Sequence, residues 1–397
     1  MTPAARLQMA IDILDGLNAT AQPADRYLKD WFKARRFAGS GDRRAIAERV
    51  FQIFRHHAEF AHRLQSDAPR ALAIGALLAE GGDPESLFTG GYGPAPLSDA
   101  ERAIIAQPPA DAPLWVQGEF PQFLESELTR AFGDALLKEM AAFQGRAPVD
   151  LRVNTLKATR DDVLATLVAD GFEAAPMPLA PDGIRCPPGT ALGKHALFES
   201  GAFEIQDESA QRAATLAGAK PGMRVLDLAA GAGGKALALA AAMQNQGEII
   251  ASDIRGPALA ELETRAARAG AGIIRTKLLS NPPDYSVLEG PFDIVFLDSP
   301  CSGSGTWRRQ PELKWRMTPE RLAGFTATQD RLLAQAGQLA TSRLIYATCS
   351  ILPCENEDRV AAFLAANPRF SRLAPDFKAS PAGTGTDGFY AAILGQL

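Results

Sequence analysis

Residues 224–235, Arg-Val-Leu-Asp-Leu-Ala-Ala-Gly-Ala-Gly-Gly-Lys, constrain the fold more than any other stretch of the chain. Val225 to Leu228 read as a short buried strand. Gly231, Gly233 and Gly234 read as a tight turn, and the alanine- and leucine-rich run from about Lys235 as a helix. Glycine lets the backbone approach a ligand closely, and a helix start offers unpaired N–H groups. Strand, turn and helix together therefore make a cofactor cradle. A P-loop is excluded, because Ala229 and Ala236 stand where that motif needs glycine and the magnesium-ligating hydroxyl. A dinucleotide fingerprint survives, with Ala236 three residues past Gly233. So does an S-adenosylmethionine site, which needs glycines beside the amino-acid moiety and an acid for the ribose at the end of the next strand. Asp253, after the run Glu248–Ser252, fits both, and the turn alone does not decide between them.

The rest of the chain sets the context. Its 397 residues suffice for two or three domains, and 46% hydrophobic with 22% charged residues is ordinary for a globular protein. No apolar run reaches the roughly 18 residues needed to span a membrane. The N-terminus leads into a mixed amphipathic stretch rather than a signal-type apolar segment. Four cysteines are too few for a disulfide framework, which implies a reducing cytoplasm. A net charge of −5 argues against bulk attraction to a polyanion but leaves local basic patches open.

Residues 1–80 read as helices. Asp42 is expected to cap a run with Ile46, Val50, Ile53 and Phe54 on one side. Basic residues crowd this part: Arg26, Lys29, Lys33, Arg35, Arg36, Arg43, Arg44, Arg49, Arg55, His56, His57 and Arg63. They form either a solvated face or a nucleic-acid patch. Residues 81–113 are a Gly/Pro-rich connection with one short helix near Ser98–Ala106. Two short helices separated at Gly133 follow over Phe120–Phe143. From Val149 a β-α-β-β pattern (151–154, 161–169, 172–175, 183–186) predicts a small α+β module. After Ala210, strands at 225–228, 247–252, 273–276, 292–297 and 344–348 alternate with helices near 235–244, 256–269, 319–340 and 355–366. Thr318-Pro319 marks a helix start and Asn367-Pro368 a stop. This alternation predicts an open, mostly parallel, doubly wound sheet with ligands at the strand C-termini. The expected domains are 1–112, 113–205 and 206–397.

Two of those strand ends are chemically unusual. The fourth strand runs into Asp298-Ser299-Pro300-Cys301-Ser302-Gly303, and the fifth into Thr348-Cys349-Ser350. A lone buried cysteine such as Cys186 is normally a small hydrophobe. Two cysteines at adjacent strand ends, one beside an Asp-x-Pro, ask for another explanation. Metal is discounted: Cys349 and Cys354 lie five apart, there is no Cys-x-x-Cys pair, and His195 is the only histidine after residue 62.

The Asp298–Gly303 segment, Tyr346-Ala347-Thr348-Cys349-Ser350-Ile351-Leu352-Pro353 and Glu355-Asn356-Glu357 resemble the Sun/Nop2 family of RNA cytosine-5 methyltransferases. So do Leu151–Thr155, Gln206–Ser209 and Asp387-Gly388-Phe389, and the likeness runs in register over residues 113–397. The helical N-terminus is similar to the NusB-like domain found in the bacterial ribosomal-RNA branch. The resemblance implies a Rossmann-like methyltransferase domain preceded by an RRM-like α+β module and an all-helical domain. It also implies S-adenosylmethionine as cofactor and an RNA substrate, ribosomal RNA being favoured over transfer RNA, for a monomeric protein without a membrane partner.

Cytosine C5 is a poor nucleophile, and a thiolate added to C6 makes it enamine-like. Family resemblance gives Cys349 the attacking role and Cys301 a role in product release; chemistry alone does not order the two. It further implies that Asp298 and Lys235 contact the cytosine edge or the cofactor, where a carboxyl group would offset charge developing on the ring. The cofactor set implied is Ala229, Ala230, Gly231, Ala232, Gly233, Gly234, Lys235, Asp253 and Asp298, with Ser280 or Asn281 after the third strand. The chain departs from the family at its turn, where Ala229 and Ala232 replace a cysteine and a proline. Arg308–Arg316, Arg-Arg-Gln-Pro-Glu-Leu-Lys-Trp-Arg, resembles the family's substrate loop, with cations for phosphate and an indole for base stacking. Two other classes stay open. Asn281-Pro282-Pro283-Asp284-Tyr285 is similar to the Asn-Pro-Pro-Tyr of amino-group methyltransferases, interrupted by Asp284. A non-catalytic RNA-binding protein on the same fold is the other.

Overall fold

A computed structural model describes residues 1–396. Contacts divide the chain into two units: residues 1–145 with 307–317, and residues 146–306 with 318–397. The division differs from the expected boundary at 112/113. The helices of 113–145 associate with the helical unit, and so does an eleven-residue excursion from the second unit.

The helical unit is built around Pro3–Asn18, Ala24–Ala34, Ser40–Arg55, His57–Leu64 and Pro69–Ala79. Ile46, Val50, Ile53 and Phe54 all point into its core, as their helical spacing requires. Asp42 is not the cap: the helix starts at Ser40 after Gly39. Asp42 lies in the first turn instead, where it suits the helix dipole and accepts from Arg6 Nε at 2.7 Å. The basic cluster splits in two. Arg49 pairs with Glu80, Arg43 Nε donates to the Ala38 carbonyl, and Arg63 donates to the carbonyls of Ile104 and Ile105. Arg26, Lys29, Lys33, Arg36 and Arg44 remain exposed.

The segment Trp307–Met317 belongs to the interior of this unit, against the expectation of an open substrate loop. Trp315 Nε1 donates to the Phe54 carbonyl at 2.7 Å, and its ring stacks on His57 with centroids 4.3 Å apart. Arg316 donates to the carbonyl of Leu17, in the last turn of helix Pro3–Asn18, and to that of Gln22 in the connection that follows. Glu312 accepts from Ala24 N at the start of the next helix. Lys314 is 1% exposed, and burial pushes its ammonium down while it pushes Glu119 up. Lys314, Trp315 and Arg316, read as RNA contacts, are therefore spent on core packing and on carbonyls of the helical unit.

The second unit holds two sheets. The first has β1 (Val149–Val153), β2 (Ala175–Pro176), β3 (Gly183–Cys186) and β4 (Phe203–Ile205) in the order β2-β3-β1-β4, all antiparallel. Helix Arg160–Ala169 packs Val163 and Leu167 into the core cluster that also holds β1 and β3 residues. The motif residues are structural here. Asn154 Nδ2 donates to the carbonyls of Gly201 and Ala269, and Asp207 caps helix Glu208–Leu216. Glu204 on β4 takes Arg265 and Arg268 from helix Gly256–Ala269. These ties fasten the module to the larger sheet within one unit.

That sheet contains β5 (Arg224–Leu228), β6 (Glu248–Asp253), β7 (Ile274–Leu278), β8 (Phe292–Asp298), β9 (Ala340–Thr348), β10 (Phe370–Arg372), β11 (Phe377–Ala379) and β12 (Phe389–Gln396). The order is β10-β12-β9-β8-β5-β6-β7, with β11 on β12. β9, β8, β5, β6 and β7 are parallel, as expected, while β12 runs antiparallel to β9 and β10 and β11 antiparallel to β12. Successive residues of the central strands alternate between two cores. Val225, Ile294, Phe296 and Ile345 enter one, and Leu226, Val295, Leu297 and Leu344 the other. A parallel strand covered on both faces must read as a continuous apolar run, which is why these segments do.

His57 carries a stability consequence. Burial holds its imidazole down at about 4, with Asp67 opposing and Lys314 assisting. An unfolded histidine protonates near 6.5, so the unfolded state gains protons first as pH falls. Stability from this group is complete above about 6.5 and is lost between there and about 4, by roughly 3 kcal/mol. All four tryptophans lie in the helical unit. Urea unfolding followed by their fluorescence should show that acid loss in the wild type and a shallower one in His57→Phe. An identical pH profile in both proteins would assign the loss to other groups.

Candidate active site

Parallel register brings the unusual strand ends to one level. Leu228 of β5 pairs with Leu297 of β8, and Asp298 of β8 pairs with Ala347 of β9. Ser299 N donates to the Ala347 carbonyl at 2.8 Å, and Gly305 N to the Cys349 carbonyl at 2.9 Å. The loops after β8 and β9 are thus laced together, and Cys301 Sγ lies 3.4 Å from Cys349 Sγ. The Asp387-Gly388-Phe389 motif supports them from behind. Gly388 N donates to Gly305 O, and a Cβ on Gly305 would sit 2.0 Å from the Gly388 carbonyl oxygen, so only glycine permits this approach.

A cavity of about 960 Å³ opens at this edge of the sheet. Its wall includes Ala229, Ala230, Gly231, Ala232, Gly234, Lys235, Asp253, Asn281, Asp298, Cys301 and Cys349. Two residues of the expected cofactor set do not line it. Gly233 begins helix Gly234–Ala242 with φ +79°, and a Cβ there would meet Leu262 Cδ1 at 1.9 Å. Ser280 is folded into a turn, its hydroxyl donating to the Pro282 carbonyl and accepting from Asp284 N. Of the two residues after the third strand, the cavity takes Asn281.

The turn itself is strained where the family has a different residue. Ala229 adopts φ +66°, a conformation that costs a residue with a Cβ about 1–3 kcal/mol. Asp253 Oδ2 accepts from Gly231 N at 2.9 Å, so the acid ending β6 also shapes the turn. Both Asp253 oxygens also accept from Arg255. Burial opposes the Asp253 charge, but hydrogen bonds from Arg255 and Gly231 outweigh it and hold the carboxyl below its ordinary range.

Charge at the cavity floor is arranged around Lys235. Its ammonium lies 2.5 Å from Asp298 Oδ2 and 5.5 Å from the Phe389 ring centroid. Burial disfavours its charge, yet Asp298, and then Cys349 and Asp227, raise it overall, so it stays cationic. Beneath it, Asp227 is fully buried in β5. Burial, with the Asp298 charge next, pushes it up to about 7. Cys301 is pushed well up by its contact with Cys349, by burial and by the charge of Glu355.

Sequence reasoning missed several neighbours. Thr328, Arg331 and Leu332, on helix Pro319–Leu339, line the cavity from a helix with no motif of its own. Tyr285, Pro282 and Pro283 line it too, beside Asn281. Glu355, the first residue of Glu355-Asn356-Glu357, is wholly buried between the cysteine loops.

Residues 214–394 match the family described as 16S rRNA methyltransferase RsmB/F, and 120–189 the ferredoxin-like domain of RsmF/B-like methyltransferases. A ribosomal RNA small subunit methyltransferase B of Sodalis glossinidius is 32% identical over 312 residues, covering 76% of this chain and 69% of that protein. The chain belongs to the RsmB/F methyltransferase family. A "Probable ribosomal RNA small subunit methyltransferase B" of Synechocystis is 33% identical over 62% of this chain, and the match spans 57% of that protein's length. Among solved structures, PH0851 superposes with a TM-score of 0.81 over 99% of both chains at 24% identity. A methyltransferase homologue from Pyrococcus horikoshii gives 0.63 at 25% identity, over 71% of this chain and 97% of that one. The Rossmann-like sheet, the ferredoxin-like module and the helical N-terminal region are thus features shared with known folds.

Proposed function

We propose that this protein transfers a methyl group from S-adenosylmethionine to C5 of a cytosine in RNA, through a covalent bond between Cys349 and C6. The observation that carries this reading is the pair of thiols 3.4 Å apart in the same cavity as a glycine turn and a ribose-type acid. An amino-group methyltransferase would leave both cysteines unexplained, and so would a nicotinamide oxidoreductase. The names of the relatives favour ribosomal RNA over transfer RNA as the substrate.

The cradle fits the cofactor. Its glycines leave the turn open to close backbone approach, and Asp253 offers a carboxylate at the cavity wall. Arg255, whose side chain is 65% exposed, has room to release that carboxylate to a ribose diol. The bound cofactor supplies an electrophilic methyl group. Asp253→Ala should weaken S-adenosylmethionine binding by about 1–3 kcal/mol, the worth of a hydrogen bond to a buried charge, in calorimetric titration. Unchanged affinity would remove Asp253 from the cofactor site.

The chain's own residues then divide the remaining work. Cys349 adds to C6, and the ring's C5 takes the methyl group. Cys301 assists loss of the C5 proton and expulsion of the Cys349 thiolate. The Lys235 ammonium, kept cationic by Asp298 and by the charge of Cys349, is the cation on that side of the cavity. Asp298, held by Lys235, is available to the N3–N4 edge as charge develops on the ring. A stacked cytosine cannot reach these thiols, so the target base must be unpaired or flipped out.

Arg26, Lys29, Lys33, Arg36 and Arg44 of the helical unit supply phosphate contacts in this reading. Reversing Lys29, Lys33 and Arg36 to glutamate should weaken RNA binding and flatten its salt dependence, while cofactor affinity stays unchanged. An identical salt slope would make them a solvated face.

The two thiols are separable by experiment. With cofactor and substrate RNA, Cys301→Ala should stall after attack and give a protein–RNA species that survives denaturing electrophoresis. Cys349→Ala should give neither adduct nor methylation. The opposite pattern would exchange the roles, and no turnover by any form, wild type included, would favour a non-catalytic RNA-binding protein.

A further inference from the structure

Both cysteines are followed by serine, Cys301-Ser302 and Cys349-Ser350, and both serines end on one carboxylate. Glu355 is completely buried. Its Oε2 accepts from Ser302 Oγ and Ser350 Oγ, each at 2.5 Å. Its Oε1 accepts from Ser302 N at 2.8 Å and Gln329 Nε2 at 3.0 Å. Four donors converging on two oxygens suit the ionised form, which only accepts. No lysine or arginine pairs with it among the described residues. Ser304 Oγ, 3.0 Å from Ser350 Oγ, and Thr348 Oγ1, donating to Asn356 Oδ1, complete the lacing. A buried charge satisfied only by neutral donors is costly unless every bond is kept, so the network has one well-defined arrangement.

We propose that Glu355 is a positioning residue of the reaction, clamping the two Cys-Ser dipeptides so that the thiols stand in contact with unequal surroundings. The proposal rests on the two-cysteine reading above but concerns a residue to which that reading gives no task. The groups facing the thiols differ in sign. Contact with the Cys349 sulfur, burial and then the charge of Glu355 all oppose a thiolate at Cys301. Cys349 acts on Lys235, a retained cation that Asp298 and Asp227 also face. The carboxylate thus adds to what pushes the Cys301 thiol up, while the Lys235 cation lies on the Cys349 side of the pair. One buried acid thus serves both the spacing and the division of labour between the thiols.

The test reads each thiol by itself in the full-length protein. Iodoacetamide labelling across a pH series, quantified per peptide by mass spectrometry without RNA or cofactor, gives separate midpoints for Cys301 and Cys349. In the wild type Cys301 should label at the higher pH. Glu355→Gln keeps the size but turns a donor toward the serines and removes the charge. It should bring the Cys301 midpoint down toward that of Cys349 by about one unit. With substrate it should lower kcat roughly ten- to hundredfold with little change in KM, because the loss acts on the chemical step. Glu355→Asp, which keeps the charge, should recover the separation of midpoints more than it recovers kcat. Unchanged midpoints in a folded Glu355→Gln protein would overturn the proposal. Should that variant not fold, Ser350→Ala and Ser302→Ala remove one donor each, and normal labelling and kcat in both would overturn it equally. A wild type that shows separate midpoints but never methylates RNA would count against the proposed activity and leave the clamp standing.

Discussion

The site depends on the register of three parallel strands. β5, β8 and β9 end at one level, and each end supplies one component: a glycine turn, Asp298 with the Cys301 loop, and the Cys349 loop. A slip of one residue would turn every inward side chain to the other face. That slip is opposed on both faces at once, because alternate residues of each strand fill two separate cores. Burial of the sheet thus fixes the chemistry: the same apolar packing that stabilises the unit sets the distance between the thiols.

Charge at the strand ends follows from that geometry. Parallel neighbours bring Asp227, Asp298 and Lys235 together in a space that excludes most water, where unpaired charge is expensive. The molecule answers by pushing the Asp227 carboxyl up to about 7, pairing Asp298 with Lys235 and satisfying Glu355 with four neutral donors. Each solution leaves a different group at the strand ends: a cation beside Cys349, an anion behind Cys301, a carboxylate on the cavity wall.

Much of this was legible in the chain itself. Strands β5, β8 and β9 announced themselves through apolar runs that lead into the glycine turn or a cysteine loop, whereas β7, Ile-Arg-Thr-Lys-Leu, carries a weaker pattern. The antiparallel strands β10 and β11 span three residues each and carry no such pattern, and β4 is equally short. Chemistry was readable where a residue type was unusual for its place, as with paired cysteines. It was unreadable where function lies in a distant partnership. Glu355 accepts from Ser302, 53 positions away, and Trp315 donates to Phe54, 261 positions away. The composition of Arg308–Arg316 suggested a solvent-facing RNA loop, but cations and indoles also close helix ends and fill cores, and here tertiary packing decided.

The central claim is that Cys349 bonds to C6 of a cytosine in RNA while its C5 is methylated, and trapping that bond tests it most directly. Small-subunit ribosomal RNA bearing 5-fluorocytosine denies the enzyme a C5 proton to remove, so a covalent intermediate should accumulate with cofactor present. Digestion and peptide mass spectrometry should then find the peptide containing Cys349 joined to a methylated fluorocytidine nucleotide. A nucleotide on Cys301 alone, or methylated RNA with no cysteine adduct, would contradict the account.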